Sequence, residues 1–334
     1  SASFLIVTFS FIIPLSVDID NQIASNNDSK INNSKTDFEK VLSGESIDDK
    51  EKVDEGLDLS NILEDVFKFD ELPEDTVRLS ASTIEQLFKD TNYSLSEVRR
   101  TKKVKPIRLS LLPNEMKSIE SSGKRKSLFI KIILPLVLEE NNRIIIDRKK
   151  LFSILNKNKN SKDEIKWLNQ KFKQYGVLNK DLATLKVRMD IIPVSLAIAQ
   201  AAKETGWGTS RFAIEGNALF GQWTWSGEGI KPAGADTDAT YKVMKFNVLK
   251  ASVRAYQRNL NTHSSYKKFR FVRAQLRDDN KKLDSLKLAE YLDNYAQTGT
   301  EYTKVLKQII QQNQLKDFDE VKLLPLSIKY KNII

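Results

Sequence analysis

The stretch AQAAKETGWG (199–208) brings together a helix end, a carboxylate and a tryptophan. Pro193 suits the first turn of a helix, and alanines and aliphatic residues recur at helical spacing after it. Gly206 is typical of the residue that follows a helix C-terminus. We therefore predict a helix over 192–205 that carries Glu204 in its last turn.

The predicted position of Glu204 favours a raised carboxyl pKa. A carboxylate in the last turn faces the negative end of the helix dipole, and Trp207, three residues on, could exclude water from it. Both effects raise a carboxyl pKa, as a general acid at neutral pH requires. The alternative is a solvated surface glutamate beside Lys203.

A segment rich in glycine and tryptophan follows this helix. Residues 216–246 hold five of the twelve glycines, and Trp207, Trp223 and Trp225 fall within or just before this segment. Tryptophan rings stack on the apolar faces of sugars while their N–H groups bond hydroxyls, although packing in a core is the alternative. Alternation in DATYKVMKF (238–246) predicts a strand, so the plan is α+β, mainly helical, with a small β-hairpin lobe.

The composition excludes several kinds of catalysis. The chain has no cysteine and a single histidine, His263, which we place at a helix end or on the surface. Disulfides, thiolate nucleophiles and zinc sites built on several His or Cys residues are therefore excluded. Hydrolysis would have to use carboxylates, hydroxyls or Ser with Lys, and we predict no metal and no cofactor.

The charge divides the chain into two unlike parts. From residue 18 to 98 there are 21 Asp+Glu and 8 Lys+Arg, a net charge of −13. The first 17 residues are uncharged, so residues 99–334 hold the remaining 46 Lys+Arg and 23 Asp+Glu, a net charge of +23. This excess suits a polyanionic partner, or simply a basic solvated surface. We predict no nucleic-acid partner, because no RNP, helix-turn-helix or zinc pattern is visible.

We predict three segments before the catalytic region. Residues 1–17 are apolar and indicate a signal peptide or membrane anchor, which would place the rest outside the cytoplasm. Residues 18–72 are acidic and poor in aromatics, as in a disordered linker, although 59–69 could form a short amphipathic helix. Residues 73–165 should be a helical extension, in which 124–142 is a buried helix interrupted by Pro135 rather than a membrane span.

The catalytic region itself is predicted over 166–318, followed by a C-terminal tail over 319–334. Its second half should return to helices, with breaks near 261–264 and at Gly299.

Four stretches resemble the glucosaminidase family (mannosyl-glycoprotein endo-β-N-acetylglucosaminidase-like), in particular its Bax-type bacterial branch. They are VSLAIAQAAKETGWGTSRFAIEGNALFGQWTW (194–225), SVRAYQRNLNTHSSYKKFR (252–270), YAQTGTEYTKVLKQII (295–310) and the upstream segment 108–145. The resemblance covers about residues 105–315. It implies a lysozyme-like fold and hydrolysis of β-1,4 bonds of N-acetylglucosamine in peptidoglycan.

The resemblance also implies roles for individual residues. The catalytic glutamate of the E-[ST]-G-W-G motif falls on Glu204, and the N-x-L-F-G turn below it is matched at 217–221. Tyr295 matches a functionally important tyrosine before the glycine turn, and Tyr302 fits a second tyrosine position. For both tyrosines, helix packing is the alternative. The predicted glycan contacts are Trp207, Asn217, Phe220, Trp223, Trp225 and Tyr302.

The second catalytic group is less well marked. Related enzymes place an acidic residue in the β lobe, but their T-T-E-Y-type signature is absent here. Asp238 is the choice because it opens the predicted strand, whereas Asp236, Glu228 and simple turn chemistry are alternatives. If Asp238 does not act, the N-acetyl oxygen of the substrate would supply the second function.

The sequence therefore predicts a peptidoglycan hydrolase in the cell envelope, periplasmic and either anchored to the inner membrane or secreted. A lytic transglycosylase and a non-catalytic peptidoglycan-binding module are the alternatives. The usual Gly–Leu–Met–Gln stretch of the transglycosylases is missing, whereas NALFGQW (217–223) is present. An amidase would lack the Cys or clustered His residues that its chemistry needs.

Overall fold

The computed structural model describes residues 59–68, 70–74, 76–224, 229–232 and 241–325. Short 3-10 turns connect several of its helices. The helices are α1 (Leu59–Phe67), α2 (Ala81–Asp90), α3 (Leu95–Thr101), α4 (Ser122–Leu155), α5 (Lys162–Gln174), α6 (Leu182–Arg188), α7 (Val194–Thr205), α8 (Arg211–Gly216), α9 (Leu249–Thr262), α10 (Lys267–Asp278), α11 (Ser285–Ala289) and α12 (Thr300–Gln312).

In the described part of the chain, five short strands form two small sheets. Strands β2 (Trp223–Thr224), β3 (Gly229–Ile230) and β4 (Lys242–Met244) form an antiparallel sheet in the order β2-β4-β3. In this sheet, which we call the β lobe, Trp223 pairs with Val243. Strands β1 (Lys103–Val104) and β5 (Lys322–Leu323) pair in parallel. The α+β, mainly helical plan with a small β lobe is therefore confirmed, as is its likeness to a lysozyme-like domain.

Helix α7, the predicted carrier of Glu204, runs through the core. Ten of its twelve residues are buried, most of them alanine or aliphatic. The small side chains allow α4, α12 and the turn at Leu315–Phe318 to approach it closely. It ends at Gly206, whose φ of +58° is the left-handed conformation that glycine adopts without strain. The helix predicted over 192–205 is thus confirmed to within two residues.

Helix α4 is the longest element, at 34 residues, and supplies much of the core. The predicted helix at 124–142 is confirmed, but the predicted interruption at Pro135 is wrong, because α4 continues through this buried proline to Leu155. Asn141 on its buried face donates from Nδ2 to the Ile192 carbonyl oxygen at 2.8 Å, which ties α4 to the start of α7. Over the described ranges, no helix has the length and apolarity needed to cross a membrane.

The helical extension and the catalytic region share one hydrophobic core. A single cluster of buried side chains includes Ile84 and Val98 from the extension together with Leu196 of α7, Tyr302 of α12 and Phe318. Burial of apolar surface stabilises a fold by roughly 25 cal/mol per Å², so the apolar contacts between the two parts stabilise both.

Helix α1 packs beneath the β lobe. Ile62, Leu63 and Val66 form a second cluster with β4 and the start of α9, including Met244 and Phe246. The acidic range predicted as a linker therefore ends in an ordered amphipathic helix, while its first part, 18–58, lies outside the described residues.

Two carboxylates fix this acidic segment to α9. Asp70 accepts hydrogen bonds from the backbone N–H groups of Asn247 and Val248 at 2.8 and 3.0 Å, which ties it to the two residues just before α9. Asp65 on α1 pairs with the buried Arg258 of α9 at 3.0 Å.

The segment after α12 closes the fold. Asp319 accepts from the backbone N and the Oγ of Ser195, both at 2.8 Å, and so satisfies the N-terminus of α7. Lys322 N and Leu324 N then donate to the carbonyls of β1 and of Lys102 before it. The range predicted as a tail thus begins with ordered residues, and 326–334 lie outside the described part.

Candidate functional site

Glu204 lies half-buried in the last turn of helix α7. The backbone of the N-x-L-F-G segment (217–221) approaches its carboxyl group closely. Gly221, in the N-x-L-F-G turn, has a φ of +61°. A Cβ atom on Gly221 would lie 3.2 Å from Glu204 Oε2. The glycine therefore serves two needs, a left-handed backbone and space for the carboxyl group.

A chain of hydrogen bonds from the core ends on the Glu204 carboxyl. The Tyr256 hydroxyl donates to Gln200 Oε1 at 2.6 Å, and Gln200 Nε2 donates to the Tyr302 hydroxyl oxygen at 3.0 Å. The Tyr302 hydroxyl lies beside the Glu204 carboxyl and lowers its pKa by hydrogen bonding. Because Gln200 already donates to the Tyr302 oxygen, the Tyr302 proton is available to Glu204. The chain thus places a hydroxyl donor beside the carboxyl group.

The pKa of Glu204 is raised by burial, while the Tyr302 hydrogen bond and the nearby Lys203 lower it by smaller amounts. The sequence prediction of a raised pKa is therefore confirmed, with desolvation as the main cause. Within the described residues, Tyr302 and Lys203 are the neighbouring groups that shift this pKa, and no second carboxylate does so.

Two further tyrosines enclose the carboxyl group. Tyr295 stacks on Tyr302 with ring centroids 5.5 Å apart, and its hydroxyl donates to the Phe220 carbonyl oxygen at 2.8 Å. Tyr266 lies 5.9 Å from Tyr295, centroid to centroid. The negative charge of Glu204 raises the pKa of both Tyr266 and Tyr295, behind the larger effect of burial, which shows that both are near it.

The predicted glycan contacts Asn217 and Phe220 lie inside the protein. Asn217 is 3% exposed and donates from Nδ2 to the carbonyl oxygens of Phe246 and Asn247. Phe220 is 1% exposed and stacks on Tyr256 with ring centroids 3.8 Å apart. The two side chains shape the turn below Glu204 and are not placed to contact a ligand directly. Their assignment as glycan contacts is corrected accordingly.

The β lobe presents a pair of exposed aromatic rings. Trp223 is 48% exposed and Tyr241 is 38% exposed, and the two rings meet edge to face with centroids 5.3 Å apart. Trp225 and Asp238, the other β-lobe residues predicted for the site, lie outside the described residues.

Trp207 is held by the first turns of α4. Its ring packs edge to face on Phe129 at 5.9 Å, and Lys126 Nζ lies 5.1 Å from the ring centroid. Trp207 itself has a φ of +62°, so three successive residues after Thr205, Gly206 to Gly208, have positive φ and end the helical path of α7.

The sequence reasoning missed several residues of this site. Gln200 and Tyr256 carry the hydrogen-bond chain, Tyr266 encloses it, and Tyr241 completes the exposed pair. Tyr256 and Tyr266 lie in the stretch 252–270 that resembles the glucosaminidases, and this was the available signal. Within the described ranges, no group of three His, Cys, Asp or Glu residues is arranged to hold a metal ion.

Comparison with known proteins agrees with this geometry. Residues 179–315, which contain the whole site just described, match the family model for mannosyl-glycoprotein endo-beta-N-acetylglucosaminidase. The chain belongs to the glucosaminidase family, and it is a glycosidase-type enzyme by this membership. It is similar to Protein bax of Escherichia coli (strain K12), with 34% identity over 214 residues that span 61% of this chain and 75% of that protein. No solved structure matches it significantly.

Proposed function

We propose that this chain hydrolyses β-1,4 glycosidic bonds of N-acetylglucosamine in peptidoglycan, with Glu204 as the general acid. The observation that carries the proposal is the half-buried Glu204 carboxyl, which lies at the end of the Tyr256–Gln200–Tyr302 chain and whose pKa is raised by burial. A glycosidase needs such a carboxylic acid to protonate the leaving oxygen. The family membership supports the reaction class, and the exposed Trp223 and Tyr241 support a sugar as ligand.

The reaction begins when the Glu204 carboxyl gives its proton to the glycosidic oxygen. The bond from that oxygen to the anomeric carbon breaks, and positive charge develops on the sugar ring. The carboxylate that remains is stabilised by the Tyr302 hydroxyl, which already donates to it. A water molecule adds to the anomeric carbon, and its proton leaves to a base. The products are a new reducing end and a free hydroxyl on the leaving sugar.

Two groups are proposed for the second function. Asp238 would act as base or nucleophile, or the N-acetyl oxygen of the substrate would attack the anomeric carbon and be displaced later by water. The variant Asp238→Asn distinguishes the two. If Asp238 acts, the rate should fall about as far as it does in Glu204→Gln. If the N-acetyl oxygen acts, the rate should fall less.

The proposed substrate implies a place outside the cytoplasm, in the cell envelope, where peptidoglycan lies. The apolar segment 1–17 would direct the chain there or anchor it. A net charge of +10 favours contact with an anionic wall.

Glu204→Gln tests the proposal, because glutamine keeps the size and hydrogen bonding of the side chain but has no proton to transfer. We expect the folded variant to bind peptidoglycan and to lose at least about 100-fold in rate, the lower end for general acid catalysis. The matched control is Glu215→Gln, an exposed glutamate on α8 that pairs with Arg211 at 3.6 Å. Muropeptide release would be measured, with thermal melts to confirm folding.

The chain ends of the products separate the remaining alternatives. Reducing N-acetylglucosamine ends support the hydrolase, whereas anhydro-sugar ends would identify a lytic transglycosylase that uses the same acid. If Glu204→Gln released muropeptides at the wild-type rate, Glu204 would not be the general acid. Binding of peptidoglycan without any new chain ends would leave a non-catalytic binding module.

A further inference from the structure

The single histidine of the chain lies at the outer end of a row of aromatic rings that starts beside Glu204. The Tyr302 hydroxyl is next to the Glu204 carboxyl, and the Tyr302 ring stacks on Tyr295 with centroids 5.5 Å apart. Tyr266 lies 5.9 Å from Tyr295, and His263 lies 5.8 Å from Tyr266, in each case between ring centroids. We call these four residues, from Tyr302 to His263, the aromatic row.

The aromatic row leads from the interior to the surface. Tyr302 and Tyr266 are buried and Tyr295 is half-buried, whereas His263 is exposed. The negative charge of Glu204 raises the pKa of Tyr266 and does not shift that of His263. His263 therefore lies further from the carboxyl group than Tyr266 does.

The backbone at His263 is fixed between two helices. Helix α9 ends at Thr262, and His263 is extended, with φ −64° and ψ 139°. A short 3-10 turn over Ser264–Tyr266 then leads into α10. The buried guanidinium of Arg270 donates to the His263 carbonyl oxygen at 2.7 Å and to the Leu260 carbonyl oxygen at 3.0 Å. The imidazole is therefore carried by a bend whose position the core determines.

One imidazole nitrogen of His263 has a partner in the protein and the other does not. Nδ1 accepts from the backbone N–H of Ser265 at 3.3 Å, which caps the 3-10 turn. Partial burial, and to a smaller extent Arg270, lowers the pKa of His263, so the ring is neutral at neutral pH. A neutral imidazole whose Nδ1 accepts carries its proton on Nε2. Since Nε2 has no hydrogen-bond partner among the described residues, it is an N–H donor available to a ligand.

A second polar side chain lies near the outer end of the aromatic row. Asn259 of α9 is half-buried, lies beside the Tyr266 hydroxyl and lowers its pKa by hydrogen bonding. Amide, imidazole and phenol groups bond the hydroxyl and acetamido groups of sugars, and aromatic rings cover their apolar faces. A capping role for His263 explains the bond to Nδ1, but it explains neither the ring contact with Tyr266 nor the unpartnered Nε2.

The position of the scissile bond brings a sugar chain to this surface. The glycosidic oxygen has to come within hydrogen-bond distance of the Glu204 carboxyl to receive its proton. Since Tyr295 and Tyr266 enclose that carboxyl, the sugar next to the bond on this side lies against them. The ring contact between Tyr266 and His263 then places the imidazole beside the following part of the chain.

We propose that His263, with Tyr266 and Asn259, forms a sugar subsite in which Nε2 of His263 donates to a hydroxyl or acetamido oxygen of an N-acetylated sugar. The inference rests on the proposed function for the identity of the ligand. His263 is a binding residue in this subsite and takes no part in proton transfer. The aromatic row and the exposed pair on the β lobe would hold different parts of the same strand.

Two substitutions at His263 separate sugar binding from capping. In His263→Asn, the amide oxygen can replace Nδ1 as the cap, but no donor remains at the position of Nε2. In His263→Gln, the longer side chain can place an amide N–H near that position. Both variants are made in the full chain, with and without Glu204→Gln to stop hydrolysis, and thermal melts check folding. Ser264→Ala is the control, since Ser264 is the exposed neighbour of His263.

We expect His263→Asn to bind chitohexaose about five- to tenfold more weakly, as for one lost hydrogen bond. His263→Gln should lose less than about threefold and Ser264→Ala less than about twofold, because each retains a donor near Nε2. In the active enzyme, His263→Asn should raise KM and leave kcat and the alkaline limb of the pH profile in place, since the contact is made away from the reacting atoms.

The affinities are measured in the Glu204→Gln proteins, so a failure of the Glu204 mechanism would appear only in the cleavage assay and would leave this comparison intact. Wild-type affinity in His263→Asn would overturn the proposal. An equal fall in all three variants, or a fall in kcat with KM unchanged, would also overturn it and would assign His263 a structural role.

Discussion

The helical side of the candidate site carries Glu204 beside a chain of buried hydrogen bonds, whereas the β lobe presents Trp223 and Tyr241 to solvent. On the helical side, the groups are already in place before any ligand arrives, since Tyr256 and Tyr302 belong to the core. On the β lobe, the rings have free surface for a ligand to cover. The contrast indicates that buried residues position the carboxyl group of Glu204, whereas exposed aromatic rings contribute to ligand affinity.

The β lobe is the side that depends on α1, and paired truncations would show this most strongly. Removing residues 18–58 should leave stability and activity on soluble muropeptides unchanged. Removing 18–70 also deletes Ile62, Leu63 and Val66, each contributing about 1.5–3 kcal/mol when buried. The two hydrogen bonds that Asp70 accepts from the backbone before α9 are lost as well. We therefore expect the longer truncation to lose several kcal/mol, measured by urea unfolding. Equal stability of the two truncations would show that α1 does not support the lobe.

On the helical side, Tyr302→Phe should alter both stability and the pH profile. It leaves the buried Gln200 Nε2 without an acceptor, at a cost of about 1–3 kcal/mol. It also removes a donor that lowers the pKa of Glu204, so that pKa rises further. Because the general acid works only while protonated, the alkaline limb of the rate profile should move to higher pH.

Tyr295→Phe is the matched control for this change. It removes the hydroxyl of the ring that stacks on Tyr302, and the hydrogen bond lost is the one to the Phe220 carbonyl oxygen. The contact between Tyr302 and Glu204 remains. Its alkaline limb should therefore stay in place. Identical profiles for the two variants would contradict the role assigned to Tyr302.

On the β lobe, replacing Trp223 and Tyr241 together by alanine should change binding and not the pH profile. We expect chitooligosaccharides to bind more weakly by about 1–3 kcal/mol, if sugars stack on these rings as bases stack on aromatics. Phe67→Ala is the control, since this ring is 50% exposed on α1. Calorimetric titration, with all proteins carrying Glu204→Gln, would measure the difference in affinity. Unchanged affinity in the double variant would show that the two rings only pack on each other and do not bind the ligand.

The smallest expected effect concerns Asp319, which bonds the start of α7, the helix that carries Glu204 at its other end. Asp319→Ala should cost about 1 kcal/mol, as for other lost helix caps. Burial raises the pKa of Asp319 from its ordinary value to about 6, with Asp284 adding to this and Ser195 and Lys316 opposing.

This shift gives the wild type a pH dependence that Asp319→Asn should lack. Between the ordinary pKa and about 6, the native state binds more protons than the unfolded state. The stability of the wild type should therefore fall, relative to Asp319→Asn, as pH rises through that window. Thermal melts of both proteins at several pH values would measure it, and parallel curves would contradict the assignment.

Local sequence patterns predicted the helices well where the signal was local. Gly206 ends α7 as expected, and Gly299 directly precedes α12. The start of α2 shows how local signals can mislead. A capping box from Ser82 to Glu85 fits the sequence, but Ser80 is the cap, because its Oγ accepts from Thr83 N at 3.1 Å. Several serines and threonines compete there, and packing decides between them.

Partners far apart in sequence could not be predicted in this way. Gln200 has no feature that marks it as more than a buried helix residue until Tyr256 and Tyr302 reach it, 56 and 102 residues further on. Asp319 was assigned to a tail for the same reason. The resemblance to glucosaminidases supplied Glu204, Tyr295 and Tyr302, but it carried no information on which hydroxyl donates to which oxygen.

The contact between Asp319 and Ser195 also has a consequence for biosynthesis. The two residues are 124 positions apart, so α7 and Glu204 leave the ribosome long before the side chain that completes the start of the helix. Strand β5, which pairs with β1, is made later still. A nascent chain that stops after residue 315 would contain the entire family-matched region and lack both supports. The start of the helix that carries Glu204 is thus completed only by residues made at least 124 positions after it.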